Sequence, residues 1–521
     1  MFFRLFLILA VTGSVSAADM HFLIMPDAVI GSISPYIYGL NAQDPSDTGA
    51  TVRRLGGTRM TGYNWVDNAS NTGNDGNNSN DDLFCKDFKI TNCDEPAAVV
   101  THFVDQNQKM GLNSLITVPM AGLVAADQKG EVPAGKTRFA RLKPIVYRKK
   151  RAYTLSPNPK EKVIYEDEFV NYLVQKLHAA SQGGVMFYEL DNEPDLWAQK
   201  QPRLHPAKTA YWELMNKSES LAYGILKADP TAMIFGPVCS GWNGFLTLGD
   251  APDSADTNQS LGTFLDFYLD QMKYIETRDR QRLLHVLDIH WYPQAQDGLR
   301  ITDNSVTPAA IEARVQSPRS LWDPSYMEKS WITDSVKQSI RLIPWLQDKI
   351  TKHYPGTQIA ISEYDYGAGD HVSGGLAQAD ALGIFGKNGV FMSNYAGDLK
   401  PYNKAALRLY RDYDGKNSTF GDTSVSAAGE DITQTSIYAA TDNKHPDTLW
   451  VLVINKNQTN LIQGKFKIQG KNVYKTYAAY GFNSKSPDIQ SLPGGSLNQN
   501  QFDYSLSPLS ATLFVCQSNI R

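Results

Sequence analysis

Short apolar runs alternate with amphipathic segments from about residue 36 to residue 414. The apolar runs have the length of buried strands and lie at 36–41, 114–119, 185–190, 232–239, 284–292, 358–364 and 390–395, with another strand expected around Arg54. Between them, apolar residues recur at helical spacing at 97–109, 168–180, 209–229, 263–277, 335–352 and 377–387. Strands that alternate with helices predict a parallel α/β fold, and about eight strands predict a closed (β/α)8 TIM-type barrel over residues 36–414.

The pattern changes after Asp414. Short alternating strands are expected at 448–455, 464–469, 474–480 and 510–515, and Gly, Asn, Ser and Pro separate them. This arrangement predicts a C-terminal antiparallel β-sandwich over residues 415–521. An isolated strand-like run at 20–26 precedes the barrel, and we expect the segment 18–35 to join the sandwich.

The first 17 residues have the features of a signal peptide. Arg4 precedes an apolar run at 5–11, and small residues at 15–17 offer a cleavage site. We therefore expect the mature chain to begin near Ala18 and to be secreted. No later run approaches the ~18 apolar residues of a membrane-spanning helix. The formal charge of −4 disfavours a nucleic-acid partner and suits a neutral ligand such as a sugar.

The chain has four cysteines. Cys85 and Cys93 flank a short polar loop and are expected to form a disulfide in an oxidising compartment, whereas Cys239 and Cys516 lie in apolar runs and are expected to be buried thiols. The segment 67–94 is rich in Asn, Asp, Ser and Gly and is interpreted as a solvated loop. Structural calcium could bind its acidic residues, although they lack EF-hand spacing. No cofactor is expected for catalysis. A long basic insertion follows at 129–162.

Two glutamates follow buried strands in matching settings. Glu193 lies in Asp191-Asn192-Glu193-Pro194, where the proline ends the strand, and Glu363 ends the apolar run that starts at Ile359. Their separation, 363 − 193 = 170 residues, leaves room for two strand–helix units, which would place them at the mouths of barrel strands four and seven. Such a pair suits glycosidic bond hydrolysis, with Glu193 as acid/base and Glu363 as nucleophile. The retaining and inverting outcomes both stay open, because the gap between the carboxylates decides between them.

Other side chains near the strand ends are assigned to the same site. Arg54 or Arg59 is expected to keep Glu363 ionised, and Asn192 is expected to bind a sugar hydroxyl. His290 and Tyr292 are expected to orient the carboxylates, although a core histidine is the alternative for His290. Five tryptophans fall in loops or at strand ends, either as stacking surfaces for sugar rings or as core residues: Trp65, Trp197, Trp291, Trp322 and Trp331.

Several longer motifs occur together. They are Arg54-Leu55-Gly56-Gly57, Arg59-Met60-Thr61-Gly62-Tyr63-Asn64-Trp65, the segment 115–122, Asp191-Asn192-Glu193-Pro194, Ser362-Glu363-Tyr364-Asp365-Tyr366-Gly367, and the segments 374–380 and 410–415. In this combination the chain from about residue 37 to its end resembles glycoside hydrolase family 44. The resemblance implies a TIM-type barrel with a β-sandwich, and retaining endo-β-1,4-glucanase activity that often extends to xyloglucan.

By this resemblance Glu193 is the acid/base and Glu363 the nucleophile. Family members can also carry structural calcium or zinc. At the last barrel strand, where related barrel glycosidases often have tryptophan, this chain has Tyr395. We assign substrate binding to Arg59, Tyr63, Trp65, Asn192, Trp197, His290, Tyr292, Trp331 and Tyr395.

The leading interpretation is a secreted β-glucan endohydrolase that acts as a monomer on a β-glucan polysaccharide. A barrel glycosidase acting on xylan or mannan is an alternative from the same reaction class. A non-catalytic glycan-binding protein on a degenerate barrel is the alternative from another class. The presence of both glutamates favours an enzyme, because a degenerate barrel tends to lose one of them.

Overall fold

The computed structural model describes residues 18–518. The first strand, β1 (Ala18–Ser32), lies outside the barrel. Eight parallel strands then close a barrel in chain order: β2 (Gly39–Leu40), β3 (Val52–Leu55), β4 (Asn113–Val118), β5 (Phe187–Leu190), β6 (Met233–Cys239), β7 (Val286–Trp291), β8 (Gln358–Tyr364) and β9 (Met392–Tyr395). The predicted (β/α)8 barrel is therefore confirmed. The expected signal peptide at residues 1–17 lies outside the described residues.

Helices connect successive strands on the outside of the barrel. The longer ones are Ala98–Lys109, Glu166–Leu177, Tyr211–Ala228, Phe264–Asp279, Leu342–His353, Val372–Lys387 and Pro401–Arg411. Shorter helices are Thr58–Thr61, Leu83–Asp87, Trp197–Lys200, Trp242–Thr247, Ser254–Leu261, Pro308–Gln316 and Trp331–Val336. The single helix predicted at 335–352 is wrong: it is two helices, because Pro344 is tolerated only in the first turn of the second one.

Side chains inside the barrel form layers, because residues two apart on a strand point to the same side. The lowest layer is apolar and fully buried, and includes Val52, Leu115, Phe187 and Val286. Two residues further along the same strands come Arg54, Thr117, Glu189 and Asp288, which are also buried. The barrel interior therefore changes from apolar to charged towards the C-terminal ends of the strands.

The C-terminal domain is one nine-stranded sheet. Its strands are β10 (Thr423–Gly429), β11 (Thr435–Thr441), β12 (Thr448–Asn455), β13 (Ile462–Ile468), β14 (Thr476–Asn483), β15 (Ser486–Ser496), β16 (Gln501–Leu506) and β17 (Ser510–Gln517), together with β1. The pairing is antiparallel except that β1 runs parallel to β13, and β10 pairs with the other edge of β1. The two flanks of the sheet pack face to face through Phe466, Tyr477, Phe502 and Phe514.

The helix Val372–Lys387 lies between the two domains and is buried along almost its whole length. Gly383 allows it to approach the sheet, since a Cβ there would lie 2.3 Å from the Tyr438 ring. Tyr438 donates a hydrogen bond of 2.5 Å to Asp380, and the buried ammonium of Lys456 lies 3.0 Å from the same carboxylate. A buried charged pair therefore joins the barrel to the sheet.

The cysteines behave as expected. Cys85 and Cys93 form a disulfide with their Cα atoms 6.1 Å apart, and Cys239 and Cys516 are buried free thiols. Within residues 18–518, none of the helices combines the length and the apolar character needed to cross a membrane.

Candidate active site

Two glutamates face each other at the C-terminal rim of the barrel. Glu363 lies in β8, the seventh barrel strand, and Glu193 lies three residues beyond the end of β5, the fourth. Side-chain ligand atoms of Glu193, Glu363 and His290 all lie within 4.8 Å of one another. The structure thus brings together two carboxylates that are 170 residues apart in the chain.

The loop that carries Glu193 has an unusual backbone. Asp191 and Glu193 both adopt positive φ angles, 63° and 45°, which costs about 1 kcal/mol or more for each residue. Hydrogen bonds hold this conformation: the Glu193 amide donates to Val238 at 3.0 Å, and the Asp191 carboxylate accepts from Thr61 at 2.6 Å. The loop therefore aims Glu193 at the barrel axis.

Glu363 is held as a carboxylate. Arg54 donates to its Oε1 at 2.5 Å, and the Tyr292 hydroxyl donates to its Oε2 at 2.6 Å. Burial alone would raise the pKa of Glu363, but the positive charges of His290 and Arg54 and these hydrogen bonds outweigh it and lower the pKa to about 2. This group is ionised at every pH at which the protein is expected to work.

Glu193 has a different environment. His290 Nδ1 lies 2.9 Å from Glu193 Oε1 and 3.5 Å from Glu363 Oε2, so the imidazole bridges the pair. Burial alone would lower the pKa of His290, but the two glutamates outweigh it and raise the pKa above its ordinary value. Unlike Glu363, Glu193 is bonded to no arginine or tyrosine among residues 18–518. The two carboxylates are therefore chemically distinct.

Arg54 is the centre of the charged layer beneath the glutamates. Its Nε donates to both oxygens of Glu189 at 2.8 and 3.0 Å, and its Nη atoms donate to Asn41 at 3.0 Å and to Asn192 at 2.7 Å as well as to Glu363. Of the two arginines that the sequence offered as partners of Glu363, Arg54 is the one that binds it. Arg59 instead pairs with Asp81 and donates to Ser70 at 3.0 Å, in the neighbouring loop.

Four of the tyrosines and tryptophans that were predicted to contact substrate are buried: Tyr63, Trp65, Trp197 and Tyr395. Trp65 stacks on Phe169 and Trp197 lies beneath Lys217, so protein covers the rings that were expected to meet sugar. Tyr395 pairs in register with Tyr364, whose hydroxyl accepts from Gln378 of an outer helix, so both point away from the barrel axis. The structure does not support a sugar-stacking role for these four side chains.

The remaining tryptophans also divide by burial. Trp291 is buried on the outside of β7, and Trp322 is partly buried beneath Lys387. Trp331 is 43% exposed and donates to Gln294 at 3.1 Å, and Gln294 in turn donates to the Tyr292 carbonyl at 2.8 Å. Trp331 is therefore the predicted stacking residue that has a free surface next to the glutamates.

The sequence reasoning missed several residues of the charged layer. Arg54 donates to Asn41 and Glu189, and Thr117 donates to Glu189. Asp288 accepts a hydrogen bond from the Ser362 amide of the neighbouring strand. None of these four layer residues, Asn41, Thr117, Glu189 and Asp288, was singled out from the sequence. Glu189 lies two residues after Phe187 on β5, so strand alternation was a signal that could have placed both side chains on one face of the strand. Burial, with the nearby Glu189 charge, raises the pKa of Asp288 to about 8.

One group of side chains at this site could bind a metal ion. Among the described residues, Glu193, His290 and Glu363 are the one set of three His, Cys, Asp or Glu side chains close enough to share an ion. Both oxygens of Glu363 already accept strong hydrogen bonds. In the loop expected to hold calcium, Asp75, Asp81 and Asp82 are paired with basic side chains. These contacts account for three of the six aspartates in the loop without a metal, and structural calcium stays a prediction.

Comparisons with known proteins agree with this fold. The sequence profile of Glycoside hydrolase family 44 matches residues 69–295. Endoglucanase A of Paenibacillus lautus is 41% identical over 514 residues, covering 97% of this chain and 73% of that protein. Beta-mannanase/endoglucanase A of Caldicellulosiruptor saccharolyticus is 41% identical over 481 residues, covering 88% of this chain and 36% of that protein.

Solved structures give the same result. A Paenibacillus polymyxa xyloglucanase from glycoside hydrolase family 44 superposes with a TM-score of 0.94 at 40% identity, covering 96% of this chain and all of that chain. These relatives show that the chain, a barrel with paired carboxylates at its rim, is a glycoside hydrolase. The chain belongs to glycoside hydrolase family 44.

Proposed function

We propose that this protein is a secreted, retaining endo-β-1,4-glucanase that hydrolyses cellulose-type β-glucans and xyloglucan. The observation that carries the proposal is the distance between the carboxylates. One oxygen of Glu193 and one of Glu363 lie within 4.8 Å of each other, near the ~5–5.5 Å of retaining enzymes and below the roughly 6.5–9.5 Å of inverting ones. Too little room is left for a water molecule to attack from the opposite face.

In the first step Glu363 acts as nucleophile and Glu193 as acid. A Glu363 oxygen attacks the anomeric carbon, the glycosidic C–O bond breaks, and Glu193 transfers its proton to the leaving oxygen. The products are a glycosyl ester on Glu363, a shortened chain with a new hydroxyl group, and an ionised Glu193.

In the second step Glu193 acts as base. It takes a proton from water while the water oxygen attacks the anomeric carbon, and the ester bond to Glu363 breaks. Glu363 leaves as a carboxylate and Glu193 is protonated again, so both groups return to their starting states. Two inversions give net retention of configuration.

The surrounding side chains support these roles. Arg54 and Tyr292 bind both oxygens of Glu363 and favour its departure as a carboxylate. His290 bonds the acid/base and keeps it beside the nucleophile. Trp331 offers an exposed aromatic face for a glucosyl ring next to the cleavage point.

The substrate class rests on the relatives, whose names include endoglucanase and xyloglucanase. Mannan is the second candidate, because another relative is named as a beta-mannanase as well as an endoglucanase. Secretion rests on the residue 1–17 segment, and action as a monomer remains an expectation.

Product analysis tests the proposal. Proton NMR of the first products from xyloglucan, carboxymethylcellulose, mannan and xylan reports both the preferred polymer and the anomeric configuration. The β-anomer should form first and then mutarotate. First appearance of the α-anomer would refute retention, and the absence of new reducing ends with every polymer would favour a non-catalytic glycan-binding protein.

A further inference from the structure

The insertion at residues 129–162 carries an unusual charge. It has eleven Lys and Arg residues and only two acidic ones, Glu131 and Glu161, in a chain whose formal charge is −4. Three of the basic groups are neutralised: Arg141 pairs with Asp127, Lys149 with Glu168 and Arg151 with Glu161. Among the described residues the other eight form no ion pair: Lys129, Lys136, Arg138, Lys143, Arg148, Lys150, Lys160 and Lys162.

The insertion is a folded part of the molecule. The strands Leu123–Ala125, Leu142–Val146 and Ile164–Tyr165 form a small sheet, and Val132 and Leu142 pack with Leu204 in a small apolar core. The small sheet and its apolar core therefore hold these basic residues on one folded part of the molecule, as an array along the chain. We call this array, with Phe139, the basic ridge.

The basic ridge borders the active-site rim. The insertion follows β4 at the same end of the barrel as the glutamates. The Met120 amide, just before it, donates to Asp191 of the Glu193 loop at 2.5 Å, and Arg203 of the segment after that loop donates to the Val132 carbonyl at 3.0 Å. The insertion and the segment before it therefore contact the chain on both sides of Glu193, at the edge of the rim where a polymer would bind.

We propose that the basic ridge binds an anionic polysaccharide, one whose sugar units carry carboxylates. Lys and Arg groups bind carboxylates directly, and an unpaired array attracts a polyanion over a Debye length of about 8 Å. The ring of Phe139 is 54% exposed, with the Arg138 guanidinium 4.5 Å from its centre, so it offers a sugar face beside a cation. The aromatic surface and the continuity with a glycan-cleaving rim favour a polysaccharide over a nucleic acid or a membrane.

The test measures binding and hydrolysis separately, so that failure of this proposal is distinct from failure of the proposed function. The probe is polygalacturonate, in affinity electrophoresis at low salt and at about 0.5 M salt, with neutral hydroxyethylcellulose as the reference polymer. The variant carries Lys129→Glu, Lys136→Glu, Lys160→Glu and Lys162→Glu. The matched control carries Lys467→Glu, Lys471→Glu, Lys475→Glu and Lys485→Glu, the same charge change at exposed positions of the C-terminal domain.

We expect polygalacturonate to retard the natural protein at low salt and the retardation to disappear at high salt. The ridge variant should bind at least tenfold more weakly, the control variant within twofold of the natural protein, and hydrolysis of hydroxyethylcellulose should stay within twofold in both. An equal loss of polygalacturonate binding in the two variants would overturn the proposal, because binding would then depend on the net charge of the protein alone. Equal or stronger binding of DNA or of phosphatidylserine vesicles would overturn the assignment to a polysaccharide.

Discussion

The Arg54 guanidinium lies 2.5 Å from Glu363 at the rim and 2.8 Å from Glu189 in the layer below. One side chain thus binds the proposed nucleophile and a buried carboxylate at once, and Asn41 and Asn192 occupy its other donors. The planar guanidinium has five donors in a fixed fork, which an ammonium group lacks.

Replacing Arg54 by lysine should lower kcat by about 100-fold, because a point charge cannot keep these partners together. The shorter lysine moves the positive charge away from Glu363 and loses the hydrogen bond to it, so the pKa of Glu363 should rise from about 2, because the charge and the hydrogen bond now lower it. The acid limb of the kcat/KM profile should therefore move to higher pH. An unchanged acid limb would contradict this account of Glu363.

The two glutamates should respond differently to an added nucleophile. Glu193→Ala should lose roughly 10³-fold in kcat with an unactivated substrate. With an activated aryl glycoside, whose leaving group departs without a proton, azide should speed turnover by attacking the glycosyl ester, releasing Glu363 and forming a β-glycosyl azide. Glu363→Ala should not form this product, because no glycosyl ester can form. Glu219→Gln, a change at an exposed ion pair on an outer helix, is the control and should keep full activity. Formation of the β-azide by both glutamate variants would contradict the assigned roles.

Two tryptophans that the sequence treats alike should give opposite results. Trp331→Ala should raise KM several-fold with little change in Tm, because its ring is exposed beside Gln294 and Tyr292. Trp197→Ala should instead destabilise the protein by about 3–5 kcal/mol, as expected for a buried tryptophan. Steady-state kinetics and calorimetry separate the two, and an unchanged KM in Trp331→Ala would remove it from the substrate site.

Stability should fall as pH rises from about 4 to 8. Burial raises the pKa of Asp191 and of Asp195 to about 6 and that of Asp288, beside Glu189, to about 8. In this window the native state binds more protons than the unfolded state, whose Asp pKa is about 3.9, so each rise in pH costs stability. The lowered pKa of Glu363 has the opposite effect, because it makes stability rise with pH, but it does so only below about pH 4.5.

Asp288→Asn isolates one of these groups. It removes a buried charge but keeps an oxygen for the Ser362 amide, which now donates to Asp288 at 3.1 Å. The Tm of the variant should exceed that of the natural protein by a few degrees at pH 8.5 and match it at pH 5. A gain that is equal at both pH values would show that the effect does not come from titration.

The ion pair between the domains offers a test of burial. Lys456 lies 3.0 Å from Asp380 with both side chains buried, and Lys465 lies 3.0 Å from Asp503 with both partly or fully exposed. Lys456→Met should cost about 3–5 kcal/mol because it leaves Asp380 buried and unpaired, whereas Lys465→Met should cost about 0–1 kcal/mol. Chemical denaturation measures both, and equal losses would contradict the role of burial.

Much of the architecture could be predicted from the order of residues. Strand and helix periods are local properties, so seven of the barrel strands and most helices were located within a few residues, and Pro194 marked the loop where Glu193 lies. The helix expected across Pro344 failed, because two helices share that apolar stretch.

By itself, the sequence determined an alternating barrel, a C-terminal β domain and two glutamates at strand ends, since each follows from patterns a few residues long. Only the tertiary structure decided that Arg54 and not Arg59 binds Glu363, that Tyr395 faces away from the axis, and that Trp331 is exposed while Trp197 is buried. These outcomes depend on which side of a strand faces the barrel axis and on which residues pack against each ring. Neither can be read from the order of residues in the chain.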